Sequence, residues 1–118
     1  MNVGFIGLGR MGSGCCSNII ARGHQVVVYD LTPGAMQAFK RRAQFARSPD
    51  EVFAKTDVTV LSLPGYPEVE EVTAKFLEQD DRGKGVIDIS TSSPVSSRSI
   101  HERFKAAGGR YLDAPLTG

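Results

Sequence analysis

Cysteine is scarce in this chain of 118 residues: Cys15 and Cys16, side by side, are all there is. Neighbouring residues on a helix point about 100° apart, so the pair is poorly placed to bridge itself. No His or acidic residue stands at metal-ligand spacing from them. A disulfide scaffold and a cysteine metal site are therefore excluded, and both residues read as small apolar helix positions. No apolar run approaches the roughly 20 residues of a membrane-spanning helix, and no basic-then-apolar leader is seen. A soluble, cytoplasmic protein is the expectation. One-sided charge is missing too. Lys and Arg total 14 against 13 Asp and Glu, a net charge of +1. That balance gives no electrostatic reason to expect nucleic acid or a membrane as partner. Histidine is limited to His24, ahead of a strand, and His101, on a polar helix face. Neither is placed to act as a general acid.

What is present is a regular alternation. Hydrophobic residues make up 41% of the chain, enough for one core without metal or disulfide support. The length fits a single domain over 1–118. Val3 to Ile6, Gln25 to Tyr29, a weak Gln44 to Ala46, Asp57 to Leu63, Gly85 to Ile89 and Arg110 to Asp113 read as strands. Between them lie helical patterns. Met11 to Arg22 is stopped by Gly23. Thr32-Pro33 reads as an N-cap and first turn, opening a helix with Ala35, Met36 and Phe39 on one face. Ser48-Pro49-Asp50-Glu51 is a capping box. Pro67 opens a helix with Val69, Val72, Phe76 and Leu77 on one side. Ser93-Pro94 opens another, with Ile100, Phe104 and Ala107 facing inward. Six strands alternating with helices predict an α/β fold of Rossmann type. It is a doubly wound parallel sheet covered on both faces, with right-handed crossovers.

Gly7-Leu8-Gly9-Arg10-Met11-Gly12 follows the first strand and opens the first helix. In that context a GxGxxG loop is a dinucleotide fingerprint. Gly7 allows the tight turn, Gly9 lets the backbone approach a pyrophosphate, and Gly12 lets helix and strand pack closely. The helix start then offers unpaired N–H groups and a partial positive charge to the phosphates. Asp30, at the end of the second strand, supplies the acid expected about 20 residues further on. Its carboxylate suits the adenosine ribose hydroxyls and would repel a 2′-phosphate. Leu31 and Thr32 add no cation to hold such a phosphate, so NAD is expected over NADP. Ligands of open α/β sheets lie across the carboxyl ends of the strands. Leu63-Pro64 and Ser90-Thr91-Ser92-Ser93 are therefore further candidates, the hydroxyls for the nicotinamide side or a small polar substrate. Ser92 or Ser93 also suits a helix cap.

The motifs run in order through the whole chain: Gly4-Phe5-Ile6-Gly7-Leu8-Gly9-Arg10-Met11-Gly12, Gly23-His24, Leu63-Pro64 with Val69 and Val72, Asp88-Ile89-Ser90-Thr91-Ser92-Ser93-Pro94, and Asp113-Ala114-Pro115-Leu116-Thr117-Gly118. In this the chain resembles the N-terminal domain of the β-hydroxyacid dehydrogenase family. Its members include the 3-hydroxyisobutyrate dehydrogenase and tartronate semialdehyde reductase types, with 6-phosphogluconate dehydrogenase more distant. The resemblance implies NAD contacts at Gly7, Leu8, Gly9, Arg10, Met11, Gly12, Asp30 and Leu31, and cofactor contacts near the nicotinamide at Leu63, Pro64 and Thr91. It implies substrate contacts at Ser90, Thr91, Thr117 and Gly118. The implied reaction is reversible hydride transfer between nicotinamide and a small β-hydroxyacid or its semialdehyde.

Two departures matter. The family pattern continues from Asp-Ala-Pro into Val-Ser-Gly-Gly, whereas here it is Leu116-Thr117-Gly118, with Thr117 keeping a hydroxyl. The family's catalytic lysine and all-helical second domain come after this point, and none of Lys40, Lys55, Lys75, Lys84 or Lys105 matches that lysine. No catalytic residue and no metal ligand is assigned. The chain is expected to be a fragment that binds NAD weakly and turns over little. The apolar face a second domain would cover could drive self-association. A non-catalytic dinucleotide sensor or scaffold is the alternative, which fold alone does not separate. The Ser90-Thr91 and Asp113-Ala114-Pro115 signatures favour the enzyme.

Overall fold

The computed structural model describes residues 1–80, 82–90 and 94–114; the side chains of Arg10, Met11, Pro94 and Val95 lie outside that description. Strands and helices alternate strictly: β1 (Asn2–Ile6), α1 (Arg10–Ala21), β2 (Gln25–Tyr29), α2 (Pro33–Gln37), β3 (Gln44–Phe45), α3 (Pro49–Lys55), β4 (Val58–Leu61), α4 (Tyr66–Phe76), β5 (Gly85–Asp88), α5 (Pro94–Ala107) and β6 (Arg110–Asp113). All five strand pairings are parallel, in the order β3-β2-β1-β4-β5-β6. This is the doubly wound Rossmann arrangement expected from the sequence.

Side-chain alternation along the strands builds two cores. Val3, Phe5, Val26, Val28 and Val60 pack with Leu8, Cys16 and Phe39 on the face that α1 and α2 cover. Ile6, Val27, Leu61, Val86 and Tyr111 point the other way, into α3, α4 and α5. There Phe53 of α3 stacks on Phe76 of α4, with ring centroids 4.3 Å apart. Gly4 faces α3 so closely that a Cβ would stand 2.4 Å from Val52 Cγ1. Lys84 Nζ donates to the carbonyls of Phe53 and Ala54, closing the C-terminus of α3 with a cation, where the helix dipole favours one. Burial pushes the Cys16 thiol up to about 12, in keeping with an inert core residue.

Several local expectations need correction. α2 ends at Gln37. Phe39 is buried from the turn that follows, not from the helix. Thr32 sits at the N-cap position without a side-chain cap bond, and its own N–H is taken by Asp30. Ser48 does cap α3, accepting from Glu51 N at 3.2 Å. The fourth strand spans Val58–Leu61 and not 57–63, because the chain turns at Ser62 to pack against Gly7. Ala107 is exposed. A 14-residue helix runs about 21 Å and overshoots a four-residue strand of about 13 Å, so its last turn leaves the core.

The carboxyl ends of β5 and β6 carry polar side chains into the α5 face. Asp88 is fully buried. Its Oδ2 accepts from the Tyr111 hydroxyl at 2.7 Å and its Oδ1 from Ser90 N at 2.8 Å. Burial first, then the Asp88 carboxylate, hold the Tyr111 phenol protonated well above its usual range. A charged acceptor makes these the stronger kind of hydrogen bond.

Two tests follow. Arg41 has φ 68°, in the turn where Phe39 O accepts from both Arg42 N and Ala43 N. Left-handed backbone costs a non-glycine residue about 1–2 kcal/mol, partly offset by glycine's unfolded-state freedom. Arg41→Gly is expected to stabilise by about 0.5–1 kcal/mol in urea denaturation, and a loss would contradict this. For Tyr111, the unfolded phenol ionises near pH 10 while the folded one keeps its proton. Its share of stability is therefore complete below about pH 10 and lost as pH rises further. Tyr111→Phe should flatten the fall in unfolding free energy above pH 10, and an unchanged slope would contradict the assignment.

Candidate functional site

The chain reverses its direction of travel across the sheet between β1 and β4, and the crevice outside the strand ends lies there. The glycine loop closes one side of it. Gly7 adopts φ +94°, and a Cβ there would stand 2.0 Å from Ser62 O. Gly12 is as confined, since its Cβ would come within 2.5 Å of Gly7 O. Gly9 is the opposite: a Cβ there would meet nothing within 4 Å among the described residues. Two glycines are thus needed by the protein's own packing. The third borders open space at the N-terminus of α1. Gly9 is the cap residue of that helix, and no acidic residue stands in its first turn. The residues present fit a pyrophosphate. A bare helix start meets an uncrowded backbone.

Leu8 faces away from this space. Its side chain is 5% exposed in the α1 core, so any contact it offers is through its backbone. Its N–H donates to Asp30 Oδ2 at 2.7 Å, and Thr32 N donates to Asp30 Oδ1 at 2.8 Å. Asp30 therefore holds the glycine loop to the end of β2. Each carboxylate oxygen has further acceptor capacity, so a ribose hydroxyl can still bond here. The backbones of Arg10 and Met11 form the first turn of α1.

Beside the loop lies a cleft of about 770 Å³, in the size range of small-molecule sites. It brings together Gly7, Gly9, Asp30, Leu31, Leu63 and Pro64. Leu31 is 87% exposed, an apolar side chain lining the cleft next to Asp30. Sequence reasoning missed the opposite wall: Asp50 at the start of α3, and Glu68, Glu71, Val72 and Lys75 on α4. Asp50 Oδ1 is buried and has no hydrogen-bond partner among the described residues. The signal for α4 was available. Positions 68, 71, 72 and 75 repeat at i, i+3, i+4 and i+7, one helical stripe. The apolar stripe of Val69, Val72, Phe76 and Leu77 marks the core face, and Val72 alone is shared with the cleft stripe.

Further along the strand ends, Ser90 is 4% exposed. Its hydroxyl accepts from Leu63 N at 2.7 Å and donates to Leu61 O at 3.3 Å. With its one proton given to Leu61 O, Ser90 has a single acceptor lone pair left for any further partner. Asp113 Oδ2 accepts from Ser97 Oγ at 2.9 Å, and Ala114 N donates to Asp88 O. The expected contacts at Thr91, Thr117 and Gly118 lie outside the described residues, as do Ser92 and Ser93. His101 Nδ1 lies 3.1 Å from Tyr111 O, and the residue is exposed on α5. Among the described residues, no helix is long and apolar enough to cross a membrane.

Residues 2–118 match the family model described as the NAD binding domain of 6-phosphogluconate dehydrogenase. Mitochondrial 3-hydroxyisobutyrate dehydrogenase of Mus musculus is 34% identical over 120 residues, covering 98% of this chain and 36% of its own length. The 2-hydroxy-3-oxopropionate reductase of Escherichia coli is 32% identical, covering 100% of this chain and 41% of its own. A solved structure of 3-hydroxyisobutyrate dehydrogenase from Mycobacterium tuberculosis with L-serine superposes with a TM-score of 0.90. It is 30% identical over 99% of this chain and 40% of that one. The chain thus spans roughly two fifths of the length of the relatives it matches. A glycine loop packed by the carbonyls of Ser62 and Gly7, an acid tying it to the second strand and a match along nearly the whole sequence agree: the chain belongs to the family of the NAD binding domain of 6-phosphogluconate dehydrogenase.

Proposed function

We propose that this chain holds NAD across the strand ends and, in the whole protein, presents its nicotinamide to a small β-hydroxyacid or the corresponding semialdehyde. The observation that carries the reading is Gly9. It is the one glycine of the loop that the protein's own packing leaves in open space, at the start of a 12-residue helix. The pyrophosphate lies over Gly9 to Gly12, with the backbone of Arg10 and Met11 in the first turn. The adenosine half occupies the cleft between Asp30-Leu31 and α4, and Leu63-Pro64 forms its floor. Thr91 and the 117–118 segment are the positions that the family resemblance assigns to nicotinamide and substrate. When bound, the cofactor supplies or accepts the hydride. This chain's residues bind it, orient it and exclude water from one side.

The substrate class is supported by the names of the relatives, a 3-hydroxyisobutyrate dehydrogenase and a 2-hydroxy-3-oxopropionate reductase. L-Serine, present with the Mycobacterium tuberculosis enzyme, is also a small acid with a β-hydroxyl. Hydride transfer to a carbonyl needs a proton donor beside it. The lysine that lines the cleft is Lys75, which shares that cleft with Asp30 on the adenosine side. We assign proton transfer to no residue of these 118, and the isolated chain is expected to bind cofactor with little turnover.

NAD is preferred over NADP on electrostatic grounds. Among the described side chains, Asp30, Asp50, Glu68 and Glu71 line the cleft against one cation, Lys75. A unit negative charge about 5 Å from a carboxylate is opposed by about 1–3 kcal/mol for effective dielectrics between 80 and 20, and a 2′-phosphate carries more than one charge. Calorimetric titration should give NADH at least tenfold tighter than NADPH; equal or tighter NADPH would overturn the preference. Gly9→Ala should keep its melting temperature within a few degrees, since the new Cβ meets nothing, yet lose at least tenfold in NADH affinity. Gly12→Ala should lose stability instead. Wild-type NADH affinity in folded Gly9→Ala would remove the pyrophosphate from the loop.

A further inference from the structure

We propose that Ser90 is a positioning residue of the cofactor cleft: its buried hydroxyl, set by Asp88, fixes the Leu63–Pro64 floor on which the adenosine half lies. The proposal rests on the dinucleotide reading above and differs from a substrate-binding role for the same side chain.

The hydrogen-bond directions leave little freedom. A serine hydroxyl has one proton to give. The Ser90 proton goes to Leu61 O at 3.3 Å, so the oxygen is left to accept, and it accepts from Leu63 N at 2.7 Å. Both partners belong to the β4 end, on either side of the turn at Ser62. Ser62 O in turn occupies the space that the missing Cβ of Gly7 leaves open. Ser90 therefore clamps the segment running from the last β4 residue into the cleft floor. Its own backbone is clamped from behind, because Ser90 N donates to Asp88 Oδ1 at 2.8 Å. Asp88 is held through its other oxygen by the Tyr111 hydroxyl at 2.7 Å. A chain of charged and neutral hydrogen bonds thus runs from β6 through β5 to the floor of the cleft. All of its side-chain members are buried, where polar networks are stronger and more costly to break than at the surface.

Removing the hydroxyl leaves the Leu63 N–H without its acceptor. That N–H then turns toward water, and the floor it anchors moves with it. A residue whose task is to hold substrate has no such effect while substrate is absent.

The test uses the 118-residue chain with AMP as probe, since AMP carries neither nicotinamide nor substrate. Ser90→Ala, and Ser90→Cys as a variant of nearly unchanged volume, should speed amide exchange at Leu63 at least tenfold relative to the β1 amides. Both should raise the AMP dissociation constant about three- to tenfold. A folded Ser90 variant with wild-type Leu63 exchange overturns the proposal, as does one with faster exchange and unchanged AMP affinity. The dinucleotide reading fails separately: a wild-type chain that binds neither AMP nor NADH overturns that reading, and this proposal with it.

Discussion

Ser62 O packs against Gly7 so tightly that no side chain fits between them. That single approach brings the end of β4 against the end of β1 and turns the chain into the start of α1. Gly7 O then packs on Gly12 in the same way, which seats the helix on the strand. Every other feature of the cofactor end depends on this stack of backbone on backbone. Without it the helix start would not point at the crevice, and Gly9 would not border open space. Glycine supplies the positive φ at Gly7 and the missing Cβ at both positions.

Asp30 and Ser90 are the two polar struts that hold this arrangement from its flanks. Asp30 ties Leu8 N in the loop and Thr32 N beyond β2 into one carboxylate. Ser90 ties Leu61 and Leu63 to the end of β5. Both side chains stand at positions that motif reasoning reserves for ligand contact. In the structure each is first a bond within the protein, and the binding surface is what these bonds leave free. An acidic residue that pins a loop can also meet a ribose, since a carboxylate accepts more than two hydrogen bonds. A buried serine whose proton is committed to Leu61 O keeps one acceptor lone pair and no donor.

Most of the fold was legible in the sequence because parallel strands buried on both faces read as short apolar runs. The breakers between them, Gly23, Pro33, Pro49 and Pro94, were placed at element ends as expected. The glycine loop, Asp30 and Leu63-Pro64 were found for the same reason: each sits at a strand end that the alternation alone locates. What was not legible needed three dimensions. Ala107 was assigned inward by period, yet helix and strand differ in length. Phe39 was placed on a helix that ends two residues earlier, though it is buried all the same. The α4 wall of the cleft was missed because its stripe is mixed, with Glu68, Glu71 and Lys75 around Val72, and reads as ordinary surface. Only the proximity of α4 to Asp30 makes it part of a site. The confinement of Gly4 by Val52 likewise depends on which helix crosses β1.

The central claim is that a dinucleotide lies across the carboxyl ends of the strands, over Gly9. The most direct measurement is an amide-resolved NMR titration of the chain with NADH. The account predicts the largest shifts at Gly9 to Gly12, Leu31, Thr32 and Leu63, with little change at Asn2, Gln25 and Gln44 at the opposite ends of the strands. Shifts concentrated at Asn2, Gln25 and Gln44, or none at Gly9 to Gly12 at saturating NADH, would contradict it.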